Sequence, residues 1–148
     1  MSFKLKHFIP QEFVPKVIFN MRGGKALQLM DREILVFIDT LREVLGKRIT
    51  VNNWHVGGGF SQRGLRTSAS KHFKQFSQHT YGKALDFDVE DMTADEVRQW
   101  LVEHRNLDWV SPISFIEDGC SWVHVDTRPT KDDALILWHY KTGKVKCY

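Results

Sequence analysis

Cysteine is scarce in this chain: Cys120 and Cys147 are the only two in 148 residues. That excludes a disulfide-built scaffold, and with no CxxC pair there is no thiolate zinc or dithiol redox motif. Long apolar runs are missing as well. Nothing approaches the roughly 20 apolar residues of a membrane-spanning helix. Met1 to Pro10 interleaves Lys4, Lys6 and His7 with apolar residues, where a secretory leader would have an unbroken apolar core. The expectation is a protein made soluble in the cytoplasm, without membrane insertion, that needs separate delivery to act outside the cell. Charge of one sign is not concentrated either. The 21 Lys and Arg against 18 Asp and Glu leave a net charge of +3 spread along the chain. A stripe of basic residues interleaved with aromatics is absent, which argues against a nucleic-acid partner. An anionic polymer such as a cell wall suits the balance. No internal repeat, low-complexity stretch or interdomain linker divides the sequence.

What is present fits one compact domain, residues 1–148, with 42% hydrophobic content to build a core. Residues 1–24 carry Pro10 and Pro15 and read as an extended lead-in ending at Gly23-Gly24. From about Lys25, Leu27, Met30, Ile34, Phe37, Ile38, Leu41 and Leu45 recur at three- and four-residue steps, which predicts a helix with one buried face. Gly46 is its natural stop. Ile49 to Val51 reads as a short strand, followed by a glycine-rich loop through Gly57-Gly58-Gly59 to Arg63-Gly64-Leu65-Arg66. Thr93 with Glu96 forms a capping-box pattern for a helix to about His104. Phe115 to Glu117 and Trp122 to Asp126 read as strands joined by a tight turn at Asp118-Gly119, and Leu135 to Tyr140 as a further strand before a turn at Thr142-Gly143. The fold class expected is α+β, a small antiparallel sheet with flanking helices.

The stretch Ser77-Gln78-His79-Thr80-Tyr81-Gly82-Lys83-Ala84-Leu85-Asp86-Phe87-Asp88 sets an imidazole and a carboxylate either side of a glycine that can turn the chain. Zinc accepts both donor types, and catalytic zinc sites commonly use three protein ligands and leave a fourth position to water. His124, in Trp122-Val123-His124-Val125-Asp126, is the best third donor, because its short strand also presents acidic groups. Taken singly, His79 and Asp86 read as an ordinary histidine and a turn or capping residue. His7, His55, His72, His104 and His139 are assigned structural or surface places, with His55 and His72 flanking the cleft.

The pattern Ser-x-His-x-x-Gly-x-Ala-x-Asp, met at Ser77, His79, Gly82, Ala84 and Asp86, followed by Trp-x-His at Trp122 and His124, resembles the zinc D-alanyl-D-alanine carboxypeptidases and dipeptidases. That family includes the L-alanyl-D-glutamate endolysins of bacteriophages and shares its fold with the Hedgehog signalling domain. The resemblance covers roughly residues 49–128. It implies a Hedgehog/DD-peptidase-like fold, Zn2+ held by His79, Asp86 and His124, and hydrolysis of a bond involving a D-amino acid in peptidoglycan peptides. It also makes a phage or prophage origin plausible and a monomer the expected state.

It further sets Arg66 at the place of a family arginine that clamps a substrate carboxylate or steadies an oxyanion, with Arg63 as the spare candidate. The sequence departs from the family at the general base. Relatives often carry an acid three residues before the last histidine, and this chain has Ser121 there. With Gly119 and Cys120 at the centre of the hairpin turn, Glu117 would lie across from Trp122, on the sheet face of Trp122, His124 and Asp126. Glu117 is therefore the expected base and Asp126 its rival. Asp126 and Asp88 are alternatively acceptors behind ligand imidazoles, and Ser77 a hydrogen-bonding residue of the metal loop. Tyr81 and Trp122, with Trp54, stand near the motifs as candidates to line a peptide groove. The competing expectation, favoured by Ser121, is a zinc-stabilised binding or virion structural module without turnover.

Overall fold

In a computed structural model that describes residues 4–148, the chain is α+β, with a six-stranded mixed sheet and three α-helices. The strands are β1 (Ile49–Thr50), β2 (Ala84–Val89), β3 (Phe115–Asp118), β4 (Val123–Asp126), β5 (Ile136–His139) and β6 (Val145–Cys147), in the spatial order β1-β2-β4-β3-β5-β6. All neighbours run antiparallel except β3 and β5, which are parallel. The sheet is thus mixed where an antiparallel one was expected. The chain leaves β4, crosses β3, and enters β5 beside it through residues 127–135, and nothing in local periodicity encodes that direction.

Cross-strand register sorts the side chains. One face carries Leu85, Phe87, Val123, Val125 and Ile116, all buried, in one core with Ile34, Phe37, Ile38 and Leu41 of α2 (Arg32–Leu45) and Val97 and Leu101 of α3 (Ala94–Glu103). The Phe37 and Phe87 rings meet edge to face at 6.4 Å. The other face carries one row of chemical interest across four strands: Asp86 on β2 opposes His124 on β4, which opposes Glu117 on β3, which opposes Trp138 on β5. Strand alternation alone puts these four on the face away from the core.

The helices begin where side chains can cap them. Thr93 accepts from Glu96 N while the Glu96 carboxylate accepts from Thr93 N, the capping box read from the sequence. These bonds also hold the Glu96 carboxyl below its ordinary pKa. For α2 the periodicity misplaced the start. Asp31 is the N-cap, accepting from Glu33 N, and Gly23–Leu29 forms 3-10 turns ahead of it. Gly46, at φ +62°, ends α2 as expected. The lead-in is also corrected: Pro10–Glu12 is a 3-10 turn and Lys16–Arg22 is α1. Each proline sits at a helix start, where the missing N–H costs nothing and the ring presets φ. Residues 1–3 of that lead-in lie outside the described residues. Asp39 on α2 ties the segment down by accepting Lys6 N and His7 N at 3.0 and 2.9 Å.

One glycine joins this helical layer to the sheet. Gly82, at φ +68°, donates to Gln78 O and His79 O, and its own carbonyl accepts from Asp31 N at 2.9 Å. A Cβ there would stand 2.0 Å from Leu29 O. Gly143 has the same φ of +68° with nothing within 4 Å of a Cβ. Gly143→Ala should therefore cost only the left-handed penalty of about 1–2 kcal/mol. Gly82→Ala should lower the urea midpoint well beyond that, and equal midpoints would show that the backbone contact carries no constraint.

Candidate metal centre

His79, Asp86 and His124 converge, and these three could hold a metal ion. His79 comes from the 3-10 turn Gln78–Tyr81, capped by Ser77 Oγ, which accepts from His79 N at 3.3 Å. Asp86 and His124 are paired across β2 and β4. All three are buried, at 3%, 8% and 7% exposure, and such polar groups are kept inside only with partners. The donor atoms are close. His79 Nε2 lies 3.3 Å from His124 Nδ1 and 3.3 Å from Asp86 Oδ2, and His124 Nδ1 lies 2.8 Å from Asp86 Oδ1. Donors about 2.0–2.1 Å from a tetrahedral ion stand roughly 3.3–3.4 Å apart, so the spacing fits a site needing little closure.

The far nitrogen of each ring decides which atom faces the cluster. His79 Nδ1 is 2.8 Å from Gly64 O, a pure acceptor, so it donates there and leaves Nε2 for the cluster. His124 Nε2 is 3.0 Å from Asp126 Oδ2, which leaves Nδ1. Asp126 is fully buried and gripped by Arg128, whose Nε reaches Oδ1 at 2.8 Å and Nη2 reaches Oδ2 at 2.6 Å. The Arg128 guanidinium itself lies 3.6 Å over the Phe115 ring. Burial pushes the Asp126 carboxyl up, but hydrogen bonds from Arg128 and His124 outweigh it and leave the pKa lowered. With both oxygens engaged, Asp126 supports His124, the second of the two places considered for it, and is poorly placed as a base.

Arg63-Gly64-Leu65-Arg66 runs along this cluster as a brace. Arg63 O accepts from Asp86 N at 2.8 Å, Gly64 O holds His79, Leu65 N donates to Phe13 O, and Arg66 N donates to His79 O. The Arg66 guanidinium reaches Asp86 Oδ2 at 3.2 Å and Gln62 O at 3.3 Å. Arg63 pairs with Asp88 at 2.7 Å and stacks on Phe60. Asp88 therefore meets a guanidinium and not the imidazole expected for it.

Glu117 opposes His124 in the β3–β4 register. The expected pairing with Trp122 was two residues off, because the strands are linked by the four residues Gly119–Trp122 and not by a two-residue turn. A shift of two keeps the face. Its carboxylate has no hydrogen-bond or ion-pair partner among the described residues. A cleft of about 630 Å³ opens beside Asp86, lined by Arg63, Arg66, Lys71, His72 and Trp122 among others. Of the two histidines placed beside the cleft from the sequence, His72 lines it and His55 does not. Lys71 was not picked out, and the signal that could have found it is the run of cationic side chains between the two motifs. Tyr81, half exposed, does not line the cleft, and Trp54 is structural, donating Nε1–H to Val14 O.

Comparison of the chain with known protein families, with curated proteins and with solved structures finds no match in any of the three. The site is therefore read from its own geometry.

Without a metal, burial pushes the His124 imidazole down, but hydrogen bonds to Asp126 and Asp86 and their charges outweigh it and raise it to about 9. Asp86, pushed up by burial, is held far below the carboxylate range by His124 and His79. A proton thus sits where the cation would. Because the folded pKa of His124 exceeds the unfolded value, its contribution to stability is full below about 6.5 and is lost as pH rises through about 9. A metal must displace that proton, so zinc affinity measured by chelator competition should rise about tenfold per pH unit between 6.5 and 8.5. A flat profile would contradict the assignment. Asp126→Asn should weaken zinc roughly 10- to 100-fold while leaving the donors in place.

Proposed function

We propose that the chain is a zinc peptidase that hydrolyses a bond involving a D-amino acid in bacterial peptidoglycan peptides. The observation that carries the reading is the convergence of three donors, each imidazole fixed through its far nitrogen. Two features support an enzyme over a purely structural metal site: three protein donors where closed structural sites use four, and a carboxylate without a partner, Glu117, opposite His124. The likeness of Ser77–Asp86 and Trp122–His124 to the D-alanyl-D-alanine peptidases supports the substrate class.

A zinc ion held there supplies a Lewis acid that acidifies water and polarises a carbonyl. The protein does the rest. Residues directly opposed on neighbouring strands have Cβ atoms about 4.5–5.5 Å apart, so Glu117 stands beside His124 and takes a proton from the attacking water. It then returns that proton to the leaving amine. Arg66, kept in place by Gln62 O and Asp86, has no hydrogen-bond partner on Nη1 among the described residues. That Nη1 donates to a substrate carboxylate or to the developing oxyanion. Trp122 supplies an aromatic wall.

The cleft bears on which bond is cut. Its volume of about 630 Å³ lies in the range of sites for drug-sized ligands and admits several residues of a stem peptide. We read the cut as internal, between L-Ala and D-Glu, with the D-Glu carboxylate drawn toward Arg66 and Lys71. A second reading, a zinc-stabilised binding module without turnover, draws on Ser121 standing where relatives carry an acid. Mass spectrometry of peptidoglycan peptides after incubation with the zinc-loaded protein separates the two. The enzyme releases fragments broken between L-Ala and D-Glu, one ending in L-Ala and the other beginning with D-Glu, in a chelator-sensitive way, and Glu117→Gln keeps its zinc while losing at least 100-fold in rate. Zinc retention without any product would favour the binding module.

A further inference from the structure

Arg98 is a charged residue of α3 that is only 4% exposed and plays no part in the chemistry above. Burying a guanidinium demands partners, and it finds them in the β3–β4 link. Nη1 donates to Trp122 O at 3.1 Å and to Glu117 O at 3.4 Å, and Nη2 donates to Cys120 O at 3.0 Å and to Asp95 Oδ1 at 2.7 Å. Nε lies 3.3 Å from Asp118 Oδ1, an ion-pair contact without hydrogen-bond alignment. One side chain therefore touches the backbone at both ends and the middle of the segment from Glu117 to Trp122.

That segment is also a partition. Ser121 borders the basic cleft on one side and, on the other, a separate cavity of about 310 Å³ bounded by Asp88, Thr93, Arg98 and Cys120. Empty space behind a loop means that little packing resists its displacement. Gly119, at φ +87°, lies against the His139 ring and fixes one end. Between there and Val123 the polar grip is Arg98, supplemented by the Cys120 thiol on Trp122 O at 3.2 Å.

We infer that Arg98 is a positioning residue: by clamping the Glu117–Trp122 backbone it sets the distance of Trp122 from the cleft and the stance of Glu117 beside His124. This rests on reading the site as a peptidase. The planar fork is essential, because an ammonium cannot reach three carbonyls and two carboxylates spread around a plane. No donor atom of the metal cluster touches Arg98, so loosening the loop leaves the metal site intact.

The test compares wild type with Arg98→Lys as zinc-loaded full chains. Amide hydrogen exchange in residues 119–123 should quicken at least tenfold, with α2 and β2 unchanged. Zinc affinity should stay within twofold of wild type, and KM for peptidoglycan peptides should rise at least fivefold. Asp118→Asn, which keeps the guanidinium but weakens its Nε contact, should give the same pattern at smaller amplitude and serves if Arg98→Lys fails to fold. Methylguanidinium should restore part of the KM in Arg98→Ala. Unchanged loop exchange, or faster exchange in all elements with KM unchanged, would overturn the inference. Absence of hydrolysis by wild type would sink the peptidase reading, while the exchange data would still decide whether Arg98 clamps the loop.

Discussion

The structure turns on the two hydrogen bonds that take one nitrogen of each buried imidazole out of play: His79 Nδ1 to Gly64 O, and His124 Nε2 to Asp126. A neutral imidazole has one donor and one acceptor nitrogen. Spending one N–H on a fixed acceptor turns the other nitrogen toward the partner ring and Asp86, where that of His124 carries a proton until a metal displaces it. Much of the surrounding architecture follows from holding those two acceptors still. Gly64 is held because its neighbours bond to Phe13, Asp86 and Asn52. A Cβ on it would strike Phe13 O at 2.2 Å. Asp126 is held because it is fully buried at the end of β4 with Arg128 across both oxygens.

The second constraint is geometric. A sheet places opposed residues in rows, and here a row crosses from Asp86 through His124 to Glu117 and Trp138. Two candidate metal donors, a carboxylate without a partner among the described residues and an aromatic ring are thereby set side by side with no loop between them. Elements on strands hold geometry better than elements on loops, and only His79 is supplied from a turn, which Ser77 and Gly82 fix at its two ends.

Legibility in the sequence followed the range of the interaction. Thr93 with Glu96, and Gly46, are local patterns, and each stands where the pattern puts it; His79, Asp86 and His124, named from local patterns, converge. Glu117 was assigned the correct face from a register two residues off, because face depends only on parity. The start of α2 was misread because Met30 and Leu27 continue the apolar period, although Asp31 caps the helix and Asp31 N is drawn to Gly82 O, some fifty residues away. The parallel entry of β5 beside β3 is a tertiary decision with no local signature. No sequence pattern singles out Arg98, and only the fold shows three carbonyls turned toward it. Lys71 sits in an aperiodic loop, where sequence pattern carries least.

X-ray absorption at the zinc edge of the loaded protein decides whether three protein donors hold the ion with a fourth position left open. Ligation by His79, Asp86 and His124 gives one zinc per chain, surrounded by about four nitrogen and oxygen neighbours at about 2.0–2.1 Å, with the multiple-scattering signature of two imidazoles. A sulfur shell near 2.3 Å, or a single imidazole, would show that the metal sits elsewhere and that His79, Asp86 and His124 are only a buried hydrogen-bonded cluster.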